Sequence, residues 1–198
     1  MKIGAFVCML ATVALLQASP FEARGRQADP AVAAAIGNLT DASQGTRWKA
    51  ARALRELGAR AEAAVPALAS AAGTDPSIDV QVEAILALGA IGKRSAAAVD
   101  ALSGVVSGRT GVAAMWGVIA LGEAGAGAKA AVPILVQFLE AQTEPEGMIL
   151  AIITLGRIGP PARAALPAIE KHLGDTRVVP EWGEVAERAR ASIELIRK

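Results

Sequence analysis

Few residue types in this 198-residue chain could carry out chemistry. The sequence contains one histidine, His172, and one cysteine, Cys8. A thiol–imidazole pair needs both types side by side in the working protein, and a zinc site needs three or four ligands. Because Cys8 lies in an N-terminal segment that we expect to be removed, neither kind of site can be assembled. The sequence predicts no catalytic residue, no metal site and no cofactor.

Two further patterns resemble active-site motifs but have simpler interpretations. Residues 122–129 read Gly-Glu-Ala-Gly-Ala-Gly-Ala-Lys, yet they lack the Gly-Lys-Ser/Thr core of a phosphate-binding loop and follow a predicted helix. Glu140, Glu144 and Glu146 could assist acid–base chemistry. They fall in a predicted loop, where solvated surface charge is expected. We therefore expect the protein not to be an enzyme.

The N-terminus has the layout of a secretory signal peptide. Met1-Lys2 precedes a 14-residue apolar run, Ile3 to Leu16, and small residues between Ala18 and Ala23 offer cleavage positions. The run is shorter than the about 20 residues that span a bilayer. We predict a signal peptide at residues 1–23 and a folded domain at residues 24–198. Export to the periplasm or the extracellular space follows, without stable membrane insertion after cleavage. An uncleaved anchor or a buried N-terminal helix is the alternative.

Composition favours helices. Hydrophobic residues make up 53% of the chain and aromatic residues 3%, and alanine and leucine dominate the apolar content. Both are strong helix formers. The formal charge of +1 falls to about zero when Lys2 is removed, so the chain has no overall attraction for nucleic acid.

A repeat of about 34 residues governs the rest of the chain. Gly58, Gly92, Gly125 and Gly159 are 34, 33 and 34 residues apart, and the second reads Ala-Leu-Gly-Ala-Ile-Gly. The residue eight positions after each glycine is Pro66, Asp100, Pro133 or Pro167. A first helix is expected to end at the glycine, which can adopt a left-handed conformation. The proline, or Asp100, is expected in the first turn of a second helix.

Apolar columns predict which faces are buried. Leu54, Leu88, Leu121 and Leu155 share one column. A second column, which we also expect to be core, contains Trp48, Val82, Met115 and Ile149. Small residues occupy a third column: Ala50, Ala84, Gly117 and Ala151. No single helix pair can bury such faces alone, so successive units must stack.

The Ala-Leu-Gly-x-Ile-Gly and Ala-Ala-Val-Pro segments resemble the HEAT repeat family, in the short form known as the PBS-lyase-type HEAT repeat. The resemblance implies an all-α, right-handed α-α superhelix, a HEAT/armadillo-like solenoid of about four helix pairs. Half-repeat caps are expected at residues 30–39, a second helix without its first, and at 184–197, a first helix without its second. Such repeats serve mainly as interaction scaffolds.

A binding surface is expected on the concave face, which the second helices line in solenoids. Its outward positions include Ser103, Ser107, Gln137, Glu140 and Lys171. Trp116 shares a column with Lys49, Glu83 and Leu150. Two of these counterparts are charged, so we expect Trp116 to be partly exposed and to contribute to binding. The alternative is that it packs sideways over the neighbouring helix. His172 falls in an apolar column of the last second helix and is expected to be packed.

The sequence thus predicts an exported, non-enzymatic scaffold that binds a protein partner and neither nucleic acid nor a cofactor. An enzyme-associated subunit resembling the HEAT proteins of bilin lyases is the alternative. A self-assembling element, in which exposed end repeats stack on other copies, is a further possibility. The oligomeric state and the identity of the partner stay open.

Overall fold

The computed structural model describes residues 29–108 and 111–198. The predicted signal peptide lies outside the described residues. Ten helices and one short β-hairpin make up the described part of the chain. The helices are α1 (Pro30–Asn38), α2 (Gln44–Leu57), α3 (Val65–Thr74), α4 (Ile78–Gly92), α5 (Ala96–Gly108), α6 (Val112–Ala124), α7 (Val132–Glu140), α8 (Pro145–Ile158), α9 (Leu166–Glu170) and α10 (Val185–Arg197). The strands β1 (Val178–Val179) and β2 (Gly183–Glu184) pair antiparallel before α10.

The helices stack in sequence order, which confirms the predicted all-α solenoid. The even-numbered helices α2, α4, α6, α8 and α10 are the first helices, and each packs against the next. The odd-numbered helices are the second helices and form the other layer. Four complete pairs are flanked by α1 at one end and α10 at the other, as predicted for half-repeat caps.

Three of the four pairs turn at a glycine as expected. Gly58, Gly125 and Gly159 have φ angles of +53°, +56° and +73°, which residues with a side chain rarely adopt. A short 3₁₀ segment follows each glycine, and the proline eight residues on then lies in the first turn of the second helix. N–H groups in the first turn of a helix make no intrahelical hydrogen bond, so the missing N–H of proline costs no such bond there.

The second pair departs from this pattern. Gly92 is helical, and α5 begins at Ala96, so Asp100 is its fifth residue and not in its first turn. The helix α4 ends at Gly92 as predicted, but Gly92 does not have the positive φ angle of the other three glycines. The prediction that Asp100 lies in the first turn is wrong, because buried Ser95 starts α5 early: its Oγ accepts a hydrogen bond from the Ala98 N–H at 3.4 Å. Gly92 serves close packing instead, since a Cβ there would lie 3.2 Å from the Cβ of Ala124.

Glycines on the first helices allow these helices to approach closely. A Cβ on Gly89 would lie 2.8 Å from the carbonyl oxygen of Ala120, and one on Gly156 would lie 2.6 Å from the Ser192 Oγ. Contacts this short mean that a side chain at either position would force the neighbouring helix to shift. The leucine column is fully buried, at 0% exposure for all four members, so the predicted core is confirmed.

One helical stretch in the described residues, 112–140, is long and apolar enough to cross a bilayer, and half of its most apolar window is buried inside the protein. The stretch comprises α6, a 3₁₀ turn that begins at Gly125, and α7. Its apolar side chains therefore supply the solenoid core. At the C-terminal end, the outward positions of α10 are charged and exposed, as predicted for a cap: Glu187, Arg190, Glu194 and Arg197.

Candidate partner-binding surfaces

An apolar groove crosses the N-terminal halves of three consecutive first helices. It has a volume of about 680 Å³ and lies across α2, α4 and α6. Its apolar walls are formed by Trp48, Ile78, Val82, Val112 and Trp116. We call this surface the Trp groove.

The exposure of the groove is unusual for side chains of this size. Ile78 is 50% exposed and Val112 is 59% exposed, and both tryptophans are half-buried. Single exposed apolar residues are common, whereas a contiguous patch marks an interaction site. Tryptophan is also enriched at the energetic centres of protein interfaces.

The rim of the Trp groove is polar and mostly paired. Buried Glu83 accepts a hydrogen bond from Arg55 at 3.3 Å, and Asp79 accepts one from the Gln44 side chain at 3.4 Å. Lys49 is exposed and forms no ion pair with another described residue. Because the other rim groups are engaged, the apolar floor dominates what the groove can bind.

Trp48 is not the core residue that its column predicts. It is half-buried, lines the groove, and carries the Arg52 guanidinium 5.3 Å from its ring centre. Within this column, full burial is reached only toward the C-terminal end, where Ile149 is 0% exposed. Trp116 is half-buried and partly open to solvent, as expected. Its column counterpart Glu83, although charged, is buried at 8% exposure.

Sequence reasoning missed Ile78 and Val112. Each is the first residue of its helix, outside the columns that repeat in register with the glycines. The sequence feature that could have identified them is a bulky apolar residue directly after a predicted turn. Such a position is normally solvent-exposed, so an apolar side chain there suggests a contact with a partner.

The predicted second-helix residues do not form one site. The Lys171 ammonium lies 2.8 Å from a Glu140 carboxylate oxygen, with both side chains largely exposed. Ser103 Oγ donates to the Val99 carbonyl at 2.8 Å, and Ser107 Oγ donates to the Gly104 carbonyl at 3.3 Å. These hydroxyls are therefore engaged with their own helix.

Ser107 and Gln137 do share a second cavity, of about 500 Å³, between the second and third pairs. Its floor includes Met115, Ile134 and Phe138, all half-buried. Trp116 lies in the Trp groove and not in this cavity. Ser103 and the Lys171–Glu140 pair line neither the Trp groove nor this cavity.

No catalytic arrangement emerges among the described residues. His172 lies in the turn after α9, not within the predicted helix, and is half-buried as expected. Burial lowers its pKa, against the opposing effect of Asp175, so the imidazole is neutral at pH 7. Of the predicted carboxylate cluster, Glu140 pairs with Lys171 and the other two are exposed. No three His, Cys, Asp or Glu side chains in residues 29–108 and 111–198 are placed to hold a metal ion.

Comparisons with known proteins find a matching family model and several solved structures of similar fold. A family model for HEAT repeats matches residues 29–122. A chain in the complex of CpcE and CpcF of phycocyanin lyase from Nostoc sp. PCC7120 is similar over 83% of this chain, with 23% identity and a TM-score of 0.63. This chain spans 64% of that protein's length. An engineered protein is similar over 84% of this chain and 79% of its own, with 21% identity and a TM-score of 0.55. No curated protein matches in sequence.

Proposed function

Since this chain belongs to the HEAT repeat family, we propose that it is an exported, non-enzymatic scaffold that binds a protein partner through the Trp groove. The observation that carries the proposal is the groove itself. Two tryptophans and three aliphatic side chains from three successive repeats converge on one open surface. Most other bulky apolar residues lie in the core, so this contiguous patch is available to an external ligand.

The shape of the groove suits an apolar segment of a polypeptide. It is open and crosses three helices, and a small molecule is usually enclosed in a deeper cavity with convergent polar groups. Trp48 and Trp116 offer flat apolar faces, and Lys49 on the rim can orient a carboxylate of the partner. Tight packing against such anchors supplies most of the affinity in protein interfaces.

The test is affinity capture from the native exported fraction with the purified protein, followed by titration of the captured partner. We expect Trp116→Ala to weaken binding by roughly tenfold to thirtyfold, as truncation of a central aromatic does. Lys171→Ala is the matched control, because it lies on the other layer and is exposed. Equal binding by Trp116→Ala and the wild-type protein would exclude the groove.

Export belongs to the same proposal and rests on the N-terminal sequence. The expected result is a mature protein outside the cytoplasm whose first residue lies between 19 and 24, read by N-terminal sequencing. A full-length chain that begins at Met1 in the cytoplasm would contradict export and leave the groove unaffected.

An enzyme-associated role is the second candidate. The fold likeness to a chain of the phycocyanin lyase complex favours it, although this chain is shorter. A bilin titration monitored by absorbance tests the idea, because a bound bilin would change its visible spectrum. An unchanged spectrum would remove this candidate.

A further inference from the structure

The two ends of the described solenoid carry opposite halves of a repeat. Among the described residues, no first helix precedes the second helix α1. Within the same residues, no second helix follows the first helix α10. Between α1 and α2 lies a groove of about 320 Å³, lined by alanines together with Thr46 and Lys49. We call it the end slot, and it occupies the position of a missing first helix.

Burial along the repeat columns shows that none of the described residues covers the end slot. Ala53 is exposed, whereas its counterparts Ala87, Ala120 and Thr154 are 0%, 0% and 1% exposed. Each counterpart is covered by the first helix of the preceding repeat; Gly89, for example, lies against Ala120. Thr46, which also lines the end slot, is only half-buried.

Charged residues also recur at the interface between successive first helices. Within the chain, Arg55 of α2 reaches Glu83 of α4. Lys49 occupies the column of Glu83 at the end slot. In α10, Ser192 packs against Gly156 as Ala120 packs against Gly89. This contact places Glu194, two residues after Ser192, in the column of Arg55. Lys49 and Glu194 are both exposed. Placing α10 of a second molecule into the end slot would therefore bring Glu194 to Lys49, with the charges of the internal pair reversed.

We propose that copies of this protein associate head to tail, with α10 of one molecule filling the end slot of the next. The incoming α10 and the resident α1 then complete one helix pair, and the solenoid continues across the junction. Leu195, which is 42% exposed on the outer side of α10, would be covered in the process. Because the two surfaces differ, the contact does not close on itself and can extend to a filament.

The end slot is separate from the Trp groove except for Lys49, which lines both. The association therefore goes beyond the proposed partner binding and does not depend on it. Trp116→Ala is expected to leave self-association unchanged, and Glu194→Lys is expected to leave partner binding unchanged. Failure of one proposal can thus be told apart from failure of the other.

The test is sedimentation velocity of the purified protein over a range of concentrations, at low and high salt. We expect the weight-average mass to rise with concentration and to rise less at high salt. Ala53→Arg should weaken association roughly tenfold, because a bulky side chain overfills the slot. Ala130→Arg is the matched control, since Ala130 is exposed in a 3₁₀ turn far from both ends.

A charge swap tests the register. Lys49→Glu and Glu194→Lys should each weaken association, and the double variant should restore it. A wild-type protein that stays monomeric at every concentration would overturn the proposal. So would an association that Ala53→Arg does not weaken or that the charge swap does not rescue, because the copies would then meet through another surface.

Discussion

Arg47 and Asp75 form a two-point ion pair that joins consecutive repeats. Arg47 Nε lies 2.7 Å from Asp75 Oδ2, and its Nη2 lies 3.0 Å from Oδ1. The two side chains are 11% and 4% exposed. Asp75 also accepts the Ser77 backbone N–H at 2.9 Å, and Arg47 Nη1 donates to the Asp41 carbonyl at 2.9 Å. The pair therefore ties the turn before α2 to the turn before α4.

Removing one member of this pair should destabilise the protein strongly. Asp75→Asn leaves the largely covered Arg47 guanidinium without its counter-charge, and we expect this to lower the free energy of unfolding more than the loss of an exposed pair does. The free energy of unfolding from urea titration measures this. Glu56→Gln is the control, because Glu56 pairs with Arg52 at the surface with 70% side-chain exposure. If Asp75→Asn lowered the free energy of unfolding as little as Glu56→Gln does, the stabilising role of the Arg47–Asp75 pair would be contradicted.

The same pair predicts a pH dependence of stability. Hydrogen bonds from Arg47, and then from the Ser77 N–H, hold the pKa of Asp75 below its ordinary value of 3.8. The unfolded chain therefore takes up the proton first as the pH falls. The stabilisation is complete well above pH 4 and is lost as the pH falls through the lowered pKa. Melting temperatures between about pH 5 and pH 2.5 should fall more steeply for the wild-type protein than for Asp75→Asn.

Two glycine-to-alanine changes should have opposite effects. Gly89→Ala places a Cβ against the Ala120 backbone, and we expect a loss of about 1–3 kcal/mol from overpacking. Gly104 lies in the interior of α5 with nothing within 4 Å of an added Cβ, so Gly104→Ala should stabilise by about 0.5–1 kcal/mol. Thermal unfolding of both variants provides the measurement. Equal effects would show that the first helices do not approach as closely as described.

The exposed second-helix pair should contribute little to stability. Lys171 and Glu140 are 65% and 49% exposed in their side chains, and exposed ion pairs are worth about 0–1 kcal/mol. We expect Lys171→Ala to change the free energy of unfolding by less than about 0.5 kcal/mol. If the partner bound to this layer instead of the Trp groove, Lys171→Ala would weaken binding while leaving stability intact. The capture experiment therefore decides between the two layers.

The sequence predicted the turns correctly where the glycine served only to end the helix with a left-handed backbone conformation. The positive φ angles of Gly58, Gly125 and Gly159 follow from the helix-ending glycine and the proline eight residues later. Gly92 also ends its helix, but it has no positive φ angle and packs closely against Ala124 instead. A glycine allows both unusual backbone angles and tight contact, and the chain alone does not say which one is in use.

Repeat length, helix type and stacking order follow directly from the chain, because an apolar face that recurs every 34 residues can be buried only against the next copy. The uncovered surfaces do not follow in this way. Trp48 and Ile149 occupy one column, yet only Ile149 is buried, and Ala53 is exposed in a column whose other members are covered. Burial depends on which neighbour lies across the interface. That neighbour is supplied by residues far away in sequence, so the Trp groove and the end slot appear only when the helices are assembled.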